Sequence, residues 1–303
     1  MHQLKGLYGV AYSCSHSGIN YCDDWYTNNY QSTYNNPANK KSLAQVKSLG
    51  FNNIRTYYLD PNRDHNDFLV ACEKNELSVE IGISNNLLET RNVEQIKKLI
   101  MSVKKYRCVK IYTVGNEYFG SIDNIIFGIE LVYTLDNTKY IMHSSIFDQN
   151  FISAKKYYQR IPDYIKPKYI VGINMYFYSN PGNQHGDVVQ NVVRDYYNDP
   201  ILKNSFLIIS EYGSNTDDFN AIWNFSFGNI ECLKKYPNYL GYELFSYANE
   251  SWKGNHQGEN NYGIITEDGK EKQTYKAIAN FKNTDQFKQN IKNLLYKNLY
   301  VYI

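Results

Sequence analysis

The chain has 303 residues, 43% of them hydrophobic and 20% charged, with a formal net charge of +2. That balance belongs to a folded globular protein with ample core and excludes a disordered or low-complexity chain. Lys and Arg are scattered, so no basic stripe offers a nucleic-acid footprint, and no run reaches the roughly 18 apolar residues of a membrane span.

Eight short runs rich in β-branched and aromatic residues recur along the chain, bounded by Gly, Asn, Asp or Pro. They are Leu7–Tyr12, Asn53–Tyr58, Val79–Ser84, Val109–Val114, Tyr140–Ser144, Tyr169–Met175, Phe206–Ser210 and Tyr239–Phe245. Helical periodicity lies between them. Ala38–Leu49 puts Leu43, Val46 and Leu49 on one face, and Asp64–Asn75 carries an apolar stripe of Phe68, Leu69 and Cys72. Asn92–Tyr106 spaces Val93, Ile96, Leu99, Ile100 and Val103 at the helical period, and Lys270–Asn283 reads as a last helix.

This alternation predicts parallel strands joined by right-handed crossovers and closed into a (β/α)8 TIM barrel of the α/β class. An open doubly wound sheet is the alternative. Against it, no GxGxxG follows the first strand, and Gly6-Leu7-Tyr8-Gly9 lies within that strand. Residues 1–283 are expected to form one catalytic domain. The long polar segment Ser13–Pro37 reads as a β1–α1 loop: a lid, a binding wall or a disordered segment. Residues 284–303 read as a short C-terminal extension, helical and packed on the barrel.

The opening Met1–Gly6 lacks the apolar stretch of a signal peptide, so a cytoplasmic location or release by a non-classical route is expected. Cys14, Cys22, Cys72, Cys108 and Cys232 are odd in number and form no CxxC pair, which favours reduced thiols, with a Cys14–Cys22 bridge as the alternative. The histidines form no HExxH or HxH pattern, and neither a metal nor a cofactor is expected.

Two glutamates close strand-like runs: Glu117 ends Lys110–Glu117, and Glu211 ends Phe206–Glu211. With strand–helix units of about 31 residues, their separation of 94 positions is three units. They therefore fall on the fourth and seventh strands, at the end of the barrel where functional loops gather. Retaining glycosidases use such a pair. One ionised carboxylate attacks the anomeric carbon, assigned to Glu211, and an opposing acid protonates the leaving oxygen, assigned to Glu117. Carboxyl groups about 5–5.5 Å apart repel by roughly 3 kcal/mol, enough to lift one glutamate by about two pK units. Arg55 is expected to keep Glu211 ionised, the Tyr176 hydroxyl to orient it, and Asn116 to bond a sugar 2-hydroxyl. Tyr12, Tyr57 and Asn174 at strand ends, with Glu250, Trp252 and Lys253 after the eighth strand, complete the expected substrate-binding set.

Gly115-Asn116-Glu117 and Ser210-Glu211-Tyr212-Gly213 resemble the clan A glycoside hydrolases over about residues 6–283. Ile54-Arg55-Thr56-Tyr57, Val79–Ile83 and Asn249-Glu250-Ser251-Trp252-Lys253 are similar to segments of family 17. Tyr57–Pro61 with Asp64-His65, and Asn260–Gly263, are similar to family 72, the glucan transglycosylases. The resemblance implies a β-1,3-glucan substrate and accessory roles for Glu250 and Lys253. Phe68 stands where family 72 has a cysteine, and Ile83 near its strand-three aspartate, which places hydrolysis ahead of transfer. The expected function is thus a retaining β-glucan hydrolase acting on an oligo- or polysaccharide, with no nucleic acid and no membrane span. A transglycosylase using the same covalent intermediate is the first alternative, and a non-catalytic carbohydrate-binding protein the second.

Overall fold

Eight parallel strands pair in sequence order, and β8 closes onto β1. They are β1 Leu7–Ala11, β2 Asn53–Arg55, β3 Ser78–Ile83, β4 Val109–Asn116, β5 Tyr140–Ile146, β6 Tyr169–Asn174, β7 Phe206–Tyr212 and β8 Tyr239–Leu244. This is a computed structural model, and it describes residues 4–12, 42–177, 180–250, 253, 256–267 and 269–289. The expected (β/α)8 barrel is the observed one. The Ser13–Pro37 segment, Cys14, Cys22, Trp252 and residues 290–303 lie outside the described residues.

The helices are α1 Ser42–Ser48, α2 Asn66–Lys74, α3 Asn85–Glu89, α4 Val93–Val103, α5 Ile122–Leu135, α6 Ile152–Arg160, α7 His185–Asn198, α8 Phe219–Lys235 and α9 Gln273–Lys282. Side-chain oxygens cap several of them, each taking a backbone N–H that the first turn leaves unpaired. Ser84 accepts from Leu87 N, Asn92 from Gln95 N, and Asp218 from Asn220 N and Ala221 N. Among the described residues no helix is long and apolar enough to cross a membrane. Cys72, Cys108 and Cys232 are buried free thiols.

Strand alternation separates the two larger of three apolar clusters. Tyr8, Val10, Ile54, Val79, Ile81, Tyr112, Val171, Leu207 and Tyr242 join the large cluster between barrel and helices. Leu7, Ile111, Met142, Ile170, Ile208 and Leu240 form a separate plug inside the barrel. Above that plug the interior turns polar, with Asn53, Arg55, Glu80, Thr113, Ser144, Asn174, Ser210 and Glu243 all buried. The carboxyl end of the barrel is therefore built for polar chemistry, and its amino end for packing.

One expectation about an element changes. Val93 opens α4 but is 39% exposed, so the buried face of that helix is Ile96, Leu99, Ile100 and Val103. At the C-terminus the chain continues as helix over 285–289, and Phe287 packs on Tyr8 and Phe281.

Candidate active site

Irregular pairing at the carboxyl ends of β4 and β7 turns the two glutamates inward. In a regular strand neighbouring side chains point to opposite faces. Between β6 and β7 the register runs Ile173↔Ile209 and then Asn174↔Glu211, so one residue is skipped at Ser210. That bulge lets Ser210 and Glu211 both face the barrel interior. Ser210 Oγ donates to Asn174 Oδ1 at 2.7 Å, while Glu211 lines the cleft. On β4 the backbone leaves the ladder after Thr113, with Gly115 at φ 73° and Glu117 at φ 48°. Gly115 takes the left-handed conformation without penalty, whereas Glu117 holds it at a cost of about 1–3 kcal/mol.

Glu117 and Glu211 line one cleft of about 470 Å³ with Arg55, Tyr57, Tyr58, Asn85, Asn86, Asn116, Tyr176, Phe245, Glu250, Lys253 and Glu259. Their surroundings differ. Glu211 is buried and accepts from three donors: Arg55 Nη1 at 3.0 Å and Tyr57 OH at 2.7 Å on Oε1, and Tyr176 OH at 2.7 Å on Oε2. Glu117 accepts from Asn174 Nδ2 at 2.8 Å on Oε1. Burial, and after it the Glu211 carboxylate, push the Glu117 carboxyl above its ordinary range. Repulsion between the two acids was the expected cause, but desolvation comes first.

Arg55, fully buried, is the hub of the site. Its Nη1 also donates to the Ser210 carbonyl, and its Nη2 to Asn116 Oδ1 at 2.9 Å and Ser144 Oγ at 3.2 Å. The guanidinium sits 4.7 Å from the centre of the Tyr57 ring. Asn174 Nδ2 reaches Asn116 Oδ1 at 3.0 Å, so both amides are oriented by this network. Asn85 adds a clamp on the Asn116 backbone, accepting from its N–H at 3.0 Å and donating to its carbonyl at 2.8 Å.

Two of the expected sugar contacts move. Tyr12 is 1% exposed and packs on Tyr247 in the layer between barrel and helices, because it continues the outward face of Tyr8 and Val10. It does not line the cleft. Asn174 is likewise 1% exposed and touches the acid Glu117 from beneath, in place of a ligand. Tyr57, Asn116, Tyr176, Glu250 and Lys253 do line the cleft; Lys253 pairs with Glu250 at 2.8 Å and lies 4.1 Å from the centre of the Phe245 ring.

Sequence reading passed over Asn85, Phe245 and Glu259 in the wall, and Glu80 and Glu243 beneath it. The last two had a signal, since each interrupts an apolar run at mid-strand on the inward register. Asn85 opens the five-residue α3 and Glu259 lies in a short 3-10 turn, elements too brief for periodicity to announce.

No protein-family model and no curated protein matches the chain. Solved structures share its fold. A β-D-glucuronidase of Dictyoglomus thermophilum aligns with TM-score 0.61 and 16% identity, over 81% of this chain and 47% of its own. A β-glucuronidase of an uncultured Clostridium sp. gives 0.63 and 14%, over 90% and 50%. A GH2 β-galacturonidase from Eisenbergiella tayi, bound to galacturonate, gives 0.65 and 17%, over 90% and 50%. The chain spans about half the length of these neighbours. At such identities the likeness establishes the barrel fold. The narrower resemblance to families 17 and 72 finds no support, since the neighbours named are uronidases, one of them GH2.

Proposed function

We propose that the protein is a retaining glycosidase that cleaves a neutral β-glucan by double displacement. The observation that carries this is the asymmetry of two carboxyl groups in one cleft: Glu211 held by three donors, Glu117 held by one amide and pushed above its ordinary range by burial. Environments that drive a pair of acids apart mark the acid and the nucleophile. In the first step a Glu211 oxygen bonds the anomeric carbon as the glycosidic C–O bond breaks and the Glu117 proton passes to the leaving oxygen. In the second, Glu117, now a carboxylate, takes a proton from water. The water oxygen bonds the anomeric carbon, and the ester to Glu211 breaks.

Charge supports a neutral substrate. Among the described residues, the charged groups lining the cleft are Arg55 and Lys253 against Glu117, Glu211, Glu250 and Glu259. Arg55 is committed to Glu211 and Asn116, and Lys253 to Glu250. A uronide, the second reading because the neighbours are named as uronidases, would bring another carboxylate into this acidic cleft. For the β-1,3 linkage the support is the set of motif resemblances around Arg55, Asn116 and Glu250. A location without glycosylation belongs to the same proposal, because Asn249 of the Asn249-Glu250-Ser251 pattern adjoins the wall residue Glu250.

The decisive experiment offers linear β-1,3-, β-1,4- and β-1,6-glucans and a uronic-acid oligomer, with product anomers followed by NMR. Cleavage of the β-1,3-glucan to β-anomeric products is expected, with Glu117→Gln and Glu211→Gln each losing at least about a thousandfold in kcat/KM. Near-native turnover in either variant removes that residue from the mechanism. Elongated products from a laminari-oligosaccharide would assign transfer in place of hydrolysis.

A further inference from the structure

Beneath the cleft, inside the barrel, lies a second pair of carboxyl groups that the reaction as written does not use. Glu80 from β3 and Glu243 from β8 are both 0% exposed and lie within hydrogen-bonding reach of each other. Arg55 Nε is 3.0 Å from Glu80 Oε1 and 3.7 Å from Glu243 Oε2. Neutral donors also hold each acid: the Thr113 hydroxyl donates to Glu80 Oε1, the oxygen that faces Arg55, and Asn53 Nδ2 donates to Glu243 Oε1 at 2.6 Å. Room for Glu243 exists because residue 9 is glycine; a Cβ there would lie 2.8 Å from Glu243 Cγ and Oε1.

Three carboxyl groups, Glu80, Glu211 and Glu243, therefore share one guanidinium. No other cation contacts Glu80 or Glu243 among the described residues, and the remaining donors to them, Thr113 and Asn53, are neutral. Full ionisation would set three buried negative charges against one positive, and a proton shared by Glu80 and Glu243 removes one of the two left uncompensated. Oε2 of both Glu80 and Glu243 lacks a hydrogen-bond partner, the arrangement that a proton between two carboxyls would satisfy. Burial raises both acids, Glu243 the further because Glu80 faces it.

We propose that Glu80 and Glu243 share one proton, carry a single negative charge between them, and act as positioning residues that hold Arg55 against Glu211. The role rests on the retaining mechanism. When Glu211 is esterified to the sugar it loses its charge, and Arg55 would lose its counter-ion at that moment. The pair supplies a permanent one, so the guanidinium, and through it Asn116, stays in place until water releases the product.

Infrared spectroscopy tests the shared proton without reference to activity. In a Glu117→Gln background, which removes the acid assigned to protonate the leaving oxygen, a carboxylic-acid C=O stretch is expected at pH 7, and it should vanish when Glu243→Gln is added. Absence of the band, or its persistence in the double variant, overturns the shared proton. Kinetics test the positioning role. Glu243→Gln keeps a donor towards Glu80 and should lose less than about tenfold in kcat, whereas Glu243→Leu, with unchanged KM, should lose more than about a hundredfold. Equal losses in both variants would overturn positioning. Should the Leu variant not fold, a Gln variant that loses a hundredfold overturns it equally. A band that behaves as expected in these variants, beside a wild-type chain that turns over no glycan, leaves the proton in place and removes the glycosidase reading.

Discussion

Glu117 holds a left-handed backbone at φ 48° while its neighbour Asn116 is clamped by Asn85. A non-glycine residue held there against its preference marks a position where the site depends on direction. The same economy governs Glu211, whose two oxygens take tyrosine hydroxyls from Tyr57 and Tyr176 and one guanidinium N–H. Each hydroxyl fixes the carboxylate at one oxygen. Tyr176→Phe should therefore lower kcat/KM by about 10- to 100-fold, and Tyr57→Phe with Tyr176→Phe by more than either alone. Native rates in the double variant, measured on the best glucan, would show that the arginine alone suffices. The two acids were legible because each ends an apolar run. Tyr12 stands at a strand end but faces away from the cleft, because Tyr8, Val10 and Tyr12 share the outward face. The same parity, applied to Val79-Glu80-Ile81 and Tyr242-Glu243-Leu244, would have placed both buried glutamates inside.

At the scale of elements, all eight strands fall where β-branched and aromatic runs put them, because parallel strands buried on both faces leave an almost unbroken apolar signature. Helix ends and long connections are less legible, since caps and lids are set by contacts between distant segments. The packing of α7 on α8 shows what local pattern misses. Gly186 and Gly228 meet backbone to backbone; a Cβ on Gly228 would lie 2.4 Å from Gly186 O and 2.6 Å from Val189 Cγ1. Sequence shows two glycines in helical stretches, which local propensity counts as costs. The structure shows them setting how closely the helices approach. Gly228→Ala is expected to destabilise the fold by about 1–3 kcal/mol through overpacking, despite the better helix propensity of alanine. Chemical denaturation measures it, and an equal or higher midpoint would contradict the close approach.

The whole molecule stores titratable groups of opposite tendency in one interior, and its response to pH follows from their sum. His143 on β5 is buried, with Nδ1 on the Val114 carbonyl at 2.8 Å and its ring 4.2 Å from that of Tyr157. Burial pushes it down to about 4. Between pH 5 and 6 the unfolded chain then binds a proton at this position that the folded one does not, so His143 makes stability rise with pH. Glu243 does the reverse. Raised by burial, it holds its proton in the folded state where the unfolded glutamate has lost it, so its contribution is fully present below the ordinary carboxylate range and fades as pH rises through the elevated value. The two slopes oppose each other, and a full proton of difference is worth about 1.4 kcal/mol per pH unit at most. Removing one should unmask the other. In urea titrations between pH 5 and 6, His143→Asn, which keeps a donor in place of Nδ1, should tilt stability towards acid relative to wild type, and Glu243→Gln should tilt it towards base. Parallel curves for all three proteins would mean that neither group differs in protonation between the folded and unfolded states, and the shared proton beneath Arg55 would fall with that result.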